Sequence, residues 1–126
     1  MIPADLLYTD QHTWVKREGK KIRFGITQNA VEELGEIVYV ELPEVGAALA
    51  KGDSFAVVES TKAVYDLLAP ASGKVTAVNG ASADDPDSIA ADPFGSGWMI
   101  EMSISDPSEL DLLLSPADYE QKVKEG

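Results

Sequence analysis

The sequence predicts a mainly β fold with one short helix in its N-terminal half and two short helices at its C-terminus. Three observations carry this. Apolar and polar residues alternate in short runs bounded by Gly, Pro, Asn and Asp; helix-capping patterns occur at Thr27, Asp106 and Ser115; and the 126 residues suit a single domain, 1–126, because independent cores usually need about 100 residues or more each.

Trp14-Val15-Lys16-Arg17 and Lys21-Ile22-Arg23-Phe24-Gly25-Ile26 read as two strands joined by a turn at Glu18-Gly19-Lys20. Thr27 can satisfy a free amide at the start of a helix over 28–34, with Val31 and Leu34 toward the core and Gly35 as its left-handed stop. Ile37–Leu42 is β-branched and aromatic and ends at Pro43, with turns expected at Gly46 and Lys51-Gly52-Asp53. Residues 54–70 hold strand material on both sides of a polar patch, which predicts a hairpin with Lys62 at its tip, although the Asn-Gly or Asp-Gly signal of the tightest hairpins is missing. Pro70 and Ser72-Gly73 end the returning strand, and Lys74–Val78 alternates once more. Residues 80–96, rich in Gly, Ser, Asp and Pro, read as the longest loop, before a strand over 97–104. Asp106-Pro107-Ser108-Glu109 and Ser115-Pro116-Ala117-Asp118 start helices at about 107–114 and 116–124.

Ten Lys and Arg against 22 Asp and Glu give a formal charge of −12, which repels nucleic acid and anionic membranes and favours basic protein partners. No apolar stretch approaches bilayer length, and the start MIPADLLYTD lacks the pattern of a signal peptide, so the chain reads as soluble. The absence of cysteine excludes disulfides, thiol catalysis, zinc-thiolate sites and cysteine-held clusters, so any redox chemistry must come from an added group. A lone histidine, His12, leaves little for acid–base or metal chemistry. The composition argues against an independent enzyme.

No pair of carboxylates is marked by opposed environments, so they read as solvated faces rather than as acid and base. His12 has no clustered partners for a metal, which needs three or four ligands, and reads as packed or hydrogen-bonded. Gly95-Ser96-Gly97 lacks the length and the lysine of a phosphate loop and reads as a turn. Lys62 projects from a hairpin tip where a modifying enzyme can reach it; taken alone, such a lysine is ordinarily a solvated side chain.

The surrounding motif alters that reading. Glu59-Ser60-Thr61-Lys62-Ala63, with Gly46 upstream and Asp66–Val75 downstream, closely resembles the lipoylation region of the glycine cleavage system H protein family. Tyr8–Val15, Gly25-Ile26-Thr27, Leu34–Pro43 and Asp92–Met99 resemble family segments in the family order, so the likeness runs from about Tyr8 to the last helix. It implies a barrel-sandwich hybrid of two small antiparallel sheets, with lipoate joined by an amide to Lys62. It further implies a non-catalytic carrier whose arm takes an aminomethyl group from the pyridoxal-phosphate-dependent glycine decarboxylase and passes it to the folate-dependent aminomethyltransferase. Dihydrolipoamide dehydrogenase then reoxidises the arm.

By the same resemblance, Glu59 and Gly46 match positions offered to the lipoate-attaching enzyme, and Asp66, His12 and Thr13 match the neighbourhood of the loaded arm. Thr13 departs from the family, which commonly has Glu after the histidine; a threonine offers only a neutral hydrogen bond, about half as strong as a charged one. Asn79-Gly80 and Ile89-Ala90 depart mildly from the usual Asn-Glu and Val-Asn. The family implies a monomer with no nucleic-acid or membrane partner, cytoplasmic in a bacterium or in the mitochondrial matrix if the chain is a processed eukaryotic form. The rivals are an H-like lipoate-binding protein of another oxidation pathway and an unmodified interaction module. Lipoyl domains of 2-oxo acid dehydrogenases usually carry Asp before the lysine, and biotin carriers flank it with Met; Thr61 and Ala63 fit neither.

Overall fold

The computed structural model describes residues 5–9, 12–95 and 97–125, with backbone alone at 82, 83, 90, 124 and 125. Asp10, Gln11 and Ser96 of the resembling segments lie outside the described residues. The strands are β1 (Leu7–Tyr8), β2 (Thr13–Glu18), β3 (Lys21–Ile26), β4 (Ile37–Glu41), β5 (Ala48–Leu49), β6 (Ser54–Ser60), β7 (Val64–Leu68), β8 (Gly73–Val78) and β9 (Ile100–Ile104). The helices are α1 (Gln28–Leu34), α2 (Gly80–Asp84), α3 (Asp87–Ala91) and α4 (Pro116–Glu125), with a 3-10 helix at Pro107–Leu112. The strands form two antiparallel sheets, one ordered β1-β2-β3-β9-β8-β5 and one ordered β4-β6-β7, in agreement with the mainly β, two-sheet expectation.

The period-two pattern decides which side chains meet between the sheets. Val15, Ile22, Phe24, Val75, Ile100 and Met102 of the larger sheet share one buried cluster with Val40, Phe55 and Val58 of the smaller. Phe24 and Phe55 join the layers edge to face, with ring centroids 4.9 Å apart. A bulge between Ser54 and Ala56 shifts the β6–β7 register at Phe55, which is buried. Gly73 of β8 is required by packing, because a Cβ there would lie 2.0 Å from the Ser103 carbonyl oxygen. A second cluster, Leu6, Tyr8, Trp14 and Tyr119, holds β1, β2 and α4 together.

α1 occupies the expected residues for the expected reason: the Thr27 hydroxyl accepts the Ala30 N–H at 3.3 Å, and Gly35 ends it at φ 78°. The reading of 80–96 as a loop is corrected, since the segment contains α2 and α3, each five residues long and anchored in part by the fully buried Ile89. Neither helix has room for an amphipathic stripe, so periodicity could not announce them. The helix expected at 107–114 is instead the 3-10 helix at 107–112, because Leu114 is captured by mutual backbone hydrogen bonds with Tyr8. Asp106 and Ser115 cap as expected, accepting the Ser108 and Asp118 N–H groups at 3.1 and 3.2 Å.

Candidate functional site

Lys62 stands at the tip of the β6–β7 hairpin and is exposed. Ser60 makes the turn that the sequence did not announce: its hydroxyl oxygen accepts the Lys62 and Ala63 N–H groups at 3.1 and 3.3 Å, and its backbone N–H donates to the Ala63 carbonyl at 2.9 Å. A serine hydroxyl thus does locally what an Asn-Gly pair does elsewhere, without a left-handed residue in the loop. The Thr61 N–H also donates to the Glu36 carbonyl at 3.0 Å, which ties the tip to the segment between α1 and β4.

The Lys62 stem crosses Gly35, where a Cβ would come within 3.3 Å of Cε, and Nζ donates to the Glu33 carbonyl at 3.4 Å. That carbonyl lies in the last turn of α1, where the helix leaves acceptors unpaired and favours positive charge. Gly35 therefore serves twice, as the φ 78° stop of α1 and as the bare backbone over which the lysine lies.

From Glu33 a polar chain runs inward. Its carboxylate lies 3.7 Å from His12 Nε2, His12 Nδ1 lies 2.7 Å from the Tyr119 hydroxyl, and that hydroxyl lies 2.7 Å from Thr27 Oγ1. One proton arrangement satisfies the series, with Thr27 donating to Tyr119, Tyr119 to Nδ1, and Nε2–H facing Glu33. Burial pushes the Tyr119 hydroxyl above its ordinary pKa, opposed by the Thr27 hydrogen bond, so it remains a proton donor through the neutral range. His12 adopts φ 65°, fixed by its N–H to Thr9 and by its carbonyl, which accepts from the Thr27 N–H. Neither Glu33 nor Tyr119 carried a sequence signal, since both are recruited across long stretches of chain.

The other predicted positions are distributed unevenly. Glu59 lies one ladder row below the tip, opposite Tyr39 and Val64. Asp66 is exposed on β7 opposite Val57 and accepts from the Ser54 hydroxyl at 3.3 Å. Thr13 is 2% exposed and pairs with Ile26, so its side chain is turned away from solvent, whereas the His12 side chain keeps 24% exposure. Gly46 sits at φ 95° on the connection from β4 to β5, its N–H donating to the Val75 carbonyl at 2.8 Å, away from the tip. Beyond the far end of β7 opens a cleft of about 420 Å³, bordered by Thr9, Leu68, Ala69, Pro70 and Leu112–Leu114.

The family model described as Glycine cleavage H-protein matches residues 6–126. The chain is 52% identical over 124 residues to the glycine cleavage system H protein of Anaeromyxobacter sp. (strain K), covering 98% of this chain and 97% of that one. It is 50% identical over 125 residues to the protein of the same name from Carboxydothermus hydrogenoformans, covering 99% and 96%. The crystal structure of a glycine cleavage system H protein from Mycobacterium marinum superposes with a TM-score of 0.90 at 43% identity, covering 98% of this chain and 99% of that one.

Proposed function

The chain belongs to the glycine cleavage H-protein family, and from that premise we propose that it is the lipoyl carrier of the glycine cleavage system, bearing lipoate on Lys62. The observation that carries the residue assignment is the exposed Lys62 amine at a hairpin tip held by Ser60 and Glu36. The residues present fit the group: an acylated Nζ keeps one N–H, enough for the Glu33 carbonyl, and bare Gly35 leaves room beside the stem.

Lipoate held on Lys62 would supply the sulfur pair that this cysteine-free chain lacks, the chemistry needed to hold an aminomethyl group from glycine decarboxylase for the folate-dependent aminomethyltransferase, with the nitrogen leaving as ammonia and the sulfur pair reoxidised by dihydrolipoamide dehydrogenase. The protein's part is mechanical and electrostatic. The sheets hold the tip rigid, the lysine stem provides reach, and tethering replaces diffusion of a free intermediate by a raised local concentration. Asp66 stands on β7 between Lys62 and the cleft at Leu68–Pro70, about 20 Å along the strand from the tip, and His12 flanks the tip through Glu33, so both border the region an attached arm can sweep. The chain performs no catalysis itself. No helix among the described residues is long and apolar enough to cross a membrane, and cytoplasmic residence is part of the proposal.

Incubation of the purified protein with a lipoate ligase, lipoate and ATP should add one lipoyl increment to the intact mass, mapped to Lys62 by peptide sequencing, and Lys62→Arg should add none. The lipoylated wild type should support glycine–bicarbonate exchange by glycine decarboxylase, and Lys62→Arg should fall to the level without carrier. An unmodified wild type, or an increment on another lysine, overturns the assignment.

A further inference from the structure

The glycines at the two ends of β8 differ in what the fold asks of them. Gly73 is required by packing, whereas a Cβ at Gly80 would meet nothing within 4 Å, and Gly80 is not among the residues with positive φ. Neither packing nor backbone conformation calls for glycine at 80, and the residue is exposed. It nonetheless follows Asn79, where the family usually carries Asn-Glu.

The consequence is chemical. In an Asn-Gly pair no side chain screens the glycine nitrogen from the amide carbon of the asparagine, and glycine turns most freely into the geometry of a small ring. Gly80 is also the first residue of α2, so its N–H has no acceptor within the helix. α2 is five residues long, with Gly80, Ala81 and Asp84 exposed, and such an element opens at the low end of local stability. Asn29, the other asparagine of the chain, shows the opposite case: it lies within α1, and the N–H that follows it, on buried Ala30, is held by the Thr27 hydroxyl at 3.3 Å.

We propose that Asn79-Gly80 is a site of spontaneous deamidation, a covalent modification that needs water alone and does not rest on the carrier reading. The Gly80 nitrogen gives its proton to hydroxide and attacks the side-chain carbonyl carbon of Asn79. The new C–N bond closes a cyclic imide, the Cγ–Nδ2 bond breaks, and that nitrogen takes a proton from water and leaves as ammonia. Water then opens the imide at either carbonyl, giving aspartate, or isoaspartate with the main chain running through Cβ and Cγ.

The fold sets the rate. Nδ2, the leaving nitrogen, donates to the Trp98 carbonyl at 2.7 Å, and the Asn79 N–H donates to the Met99 carbonyl at 2.9 Å. Loss of ammonia requires the first of these bonds to break, so the native chain reacts from the opened junction and more slowly than an unfolded one. Either product sets a carboxylate oxygen where the Trp98 carbonyl had its donor, one acceptor against another. The Trp98 ring lies 4.5 Å from the Arg23 guanidinium, and Arg23 pairs with Glu101 at 3.3 Å, so the change reaches the charged face of the larger sheet.

The test holds the purified full chain in mildly alkaline buffer, folded and in urea, with samples taken over weeks. Conversion should add about 1 Da to the intact mass and one negative charge in ion exchange, mapped to 79–80 by peptide sequencing, with isoaspartate labelled by an isoaspartyl methyltransferase. The folded chain should convert about tenfold more slowly than the chain in urea. Gly80→Glu, which the open space at 80 accommodates, should slow conversion in urea about tenfold. Asn79→Asp, one of the two products made directly, should unfold at a lower urea concentration than the wild type. A folded wild type that stays unconverted while the chain in urea converts completely, an added dalton mapped elsewhere, or a Gly80→Glu variant with the wild-type rate overturns the assignment. Equal rates folded and in urea, or an unchanged midpoint for Asn79→Asp, overturn the part given to Trp98.

Discussion

The six-stranded and three-stranded sheets contribute to one core but present different outward faces. The larger gathers Lys21, Arg23 and Thr76 around Glu101, with the Arg23 guanidinium 4.5 Å over the Trp98 ring. The smaller leaves Tyr39, Glu41, Glu59 and Val64 to solvent or half-buried without such closure, and bears Lys62 at its end. One sheet closes most of its charges within the molecule; the other leaves its carboxylates without a cation among the described residues. The same alternation of strand residues thus yields a closed face and an open face, according to whether charges on neighbouring strands are matched.

The largest effect that sharpens this contrast is on stability. Phe24→Ala, in the larger sheet and fully buried against Phe55, should cost about 3–5 kcal/mol, read as a lower urea midpoint with unchanged slope. Tyr39→Ser, on the outward face of the smaller sheet, should stay within about 0.5 kcal/mol of the wild type. A comparable loss from both would mean that the outward face is part of the packed structure and not a surface held open.

A middling effect separates the faces by salt. Acylation at limiting protein concentration should slow several-fold between low and physiological ionic strength, since exposed charges steer encounter within about a Debye length. Glu41→Gln with Asp66→Asn should flatten that dependence, and Lys16→Gln with Lys74→Gln should leave it in place. Equal slopes for the two pairs would erase the electrostatic difference between the sheets.

What was legible in the sequence follows the range of the interactions. α1 was readable to the residue because its cap and stop are local, the Thr27 hydroxyl and the glycine at 35. The hairpin around Lys62 was readable from flanking alternation, although its turn depends on Ser60, whose role shows only once three backbone groups converge on it. β1 and β5, two residues each, are too short to alternate and exist because longer neighbours offer them a ladder. At the site, the tip was visible and its support was not. Glu33, Tyr119 and the inward turn of Thr13 are set by contacts 21 to 107 residues apart or by sheet register, which no local pattern encodes.

The smallest effect compares one carboxylate from each face. The Thr76 hydroxyl, 3.0 Å away, is the main influence holding Glu101 below its ordinary carboxylate pKa, against partial burial and with help from Arg23 and Lys21. A depressed folded-state value means that the ionised form stabilises the fold above the unfolded value of about 4.5, and that this contribution is lost as the pH falls from there through the folded value. Glu101→Gln should therefore cost about 1 kcal/mol or less at pH 7, with the gap to the wild type narrowing steadily in urea titrations carried below pH 4.5. Glu59→Gln, which removes a carboxylate with no cation beside it among the described residues, should stay within about 0.5 kcal/mol of the wild type at pH 7. A stability loss at Glu59 equal to that at Glu101 would show that both faces close their charges in the same way, and the distinction between the sheets would fail at its most sensitive point.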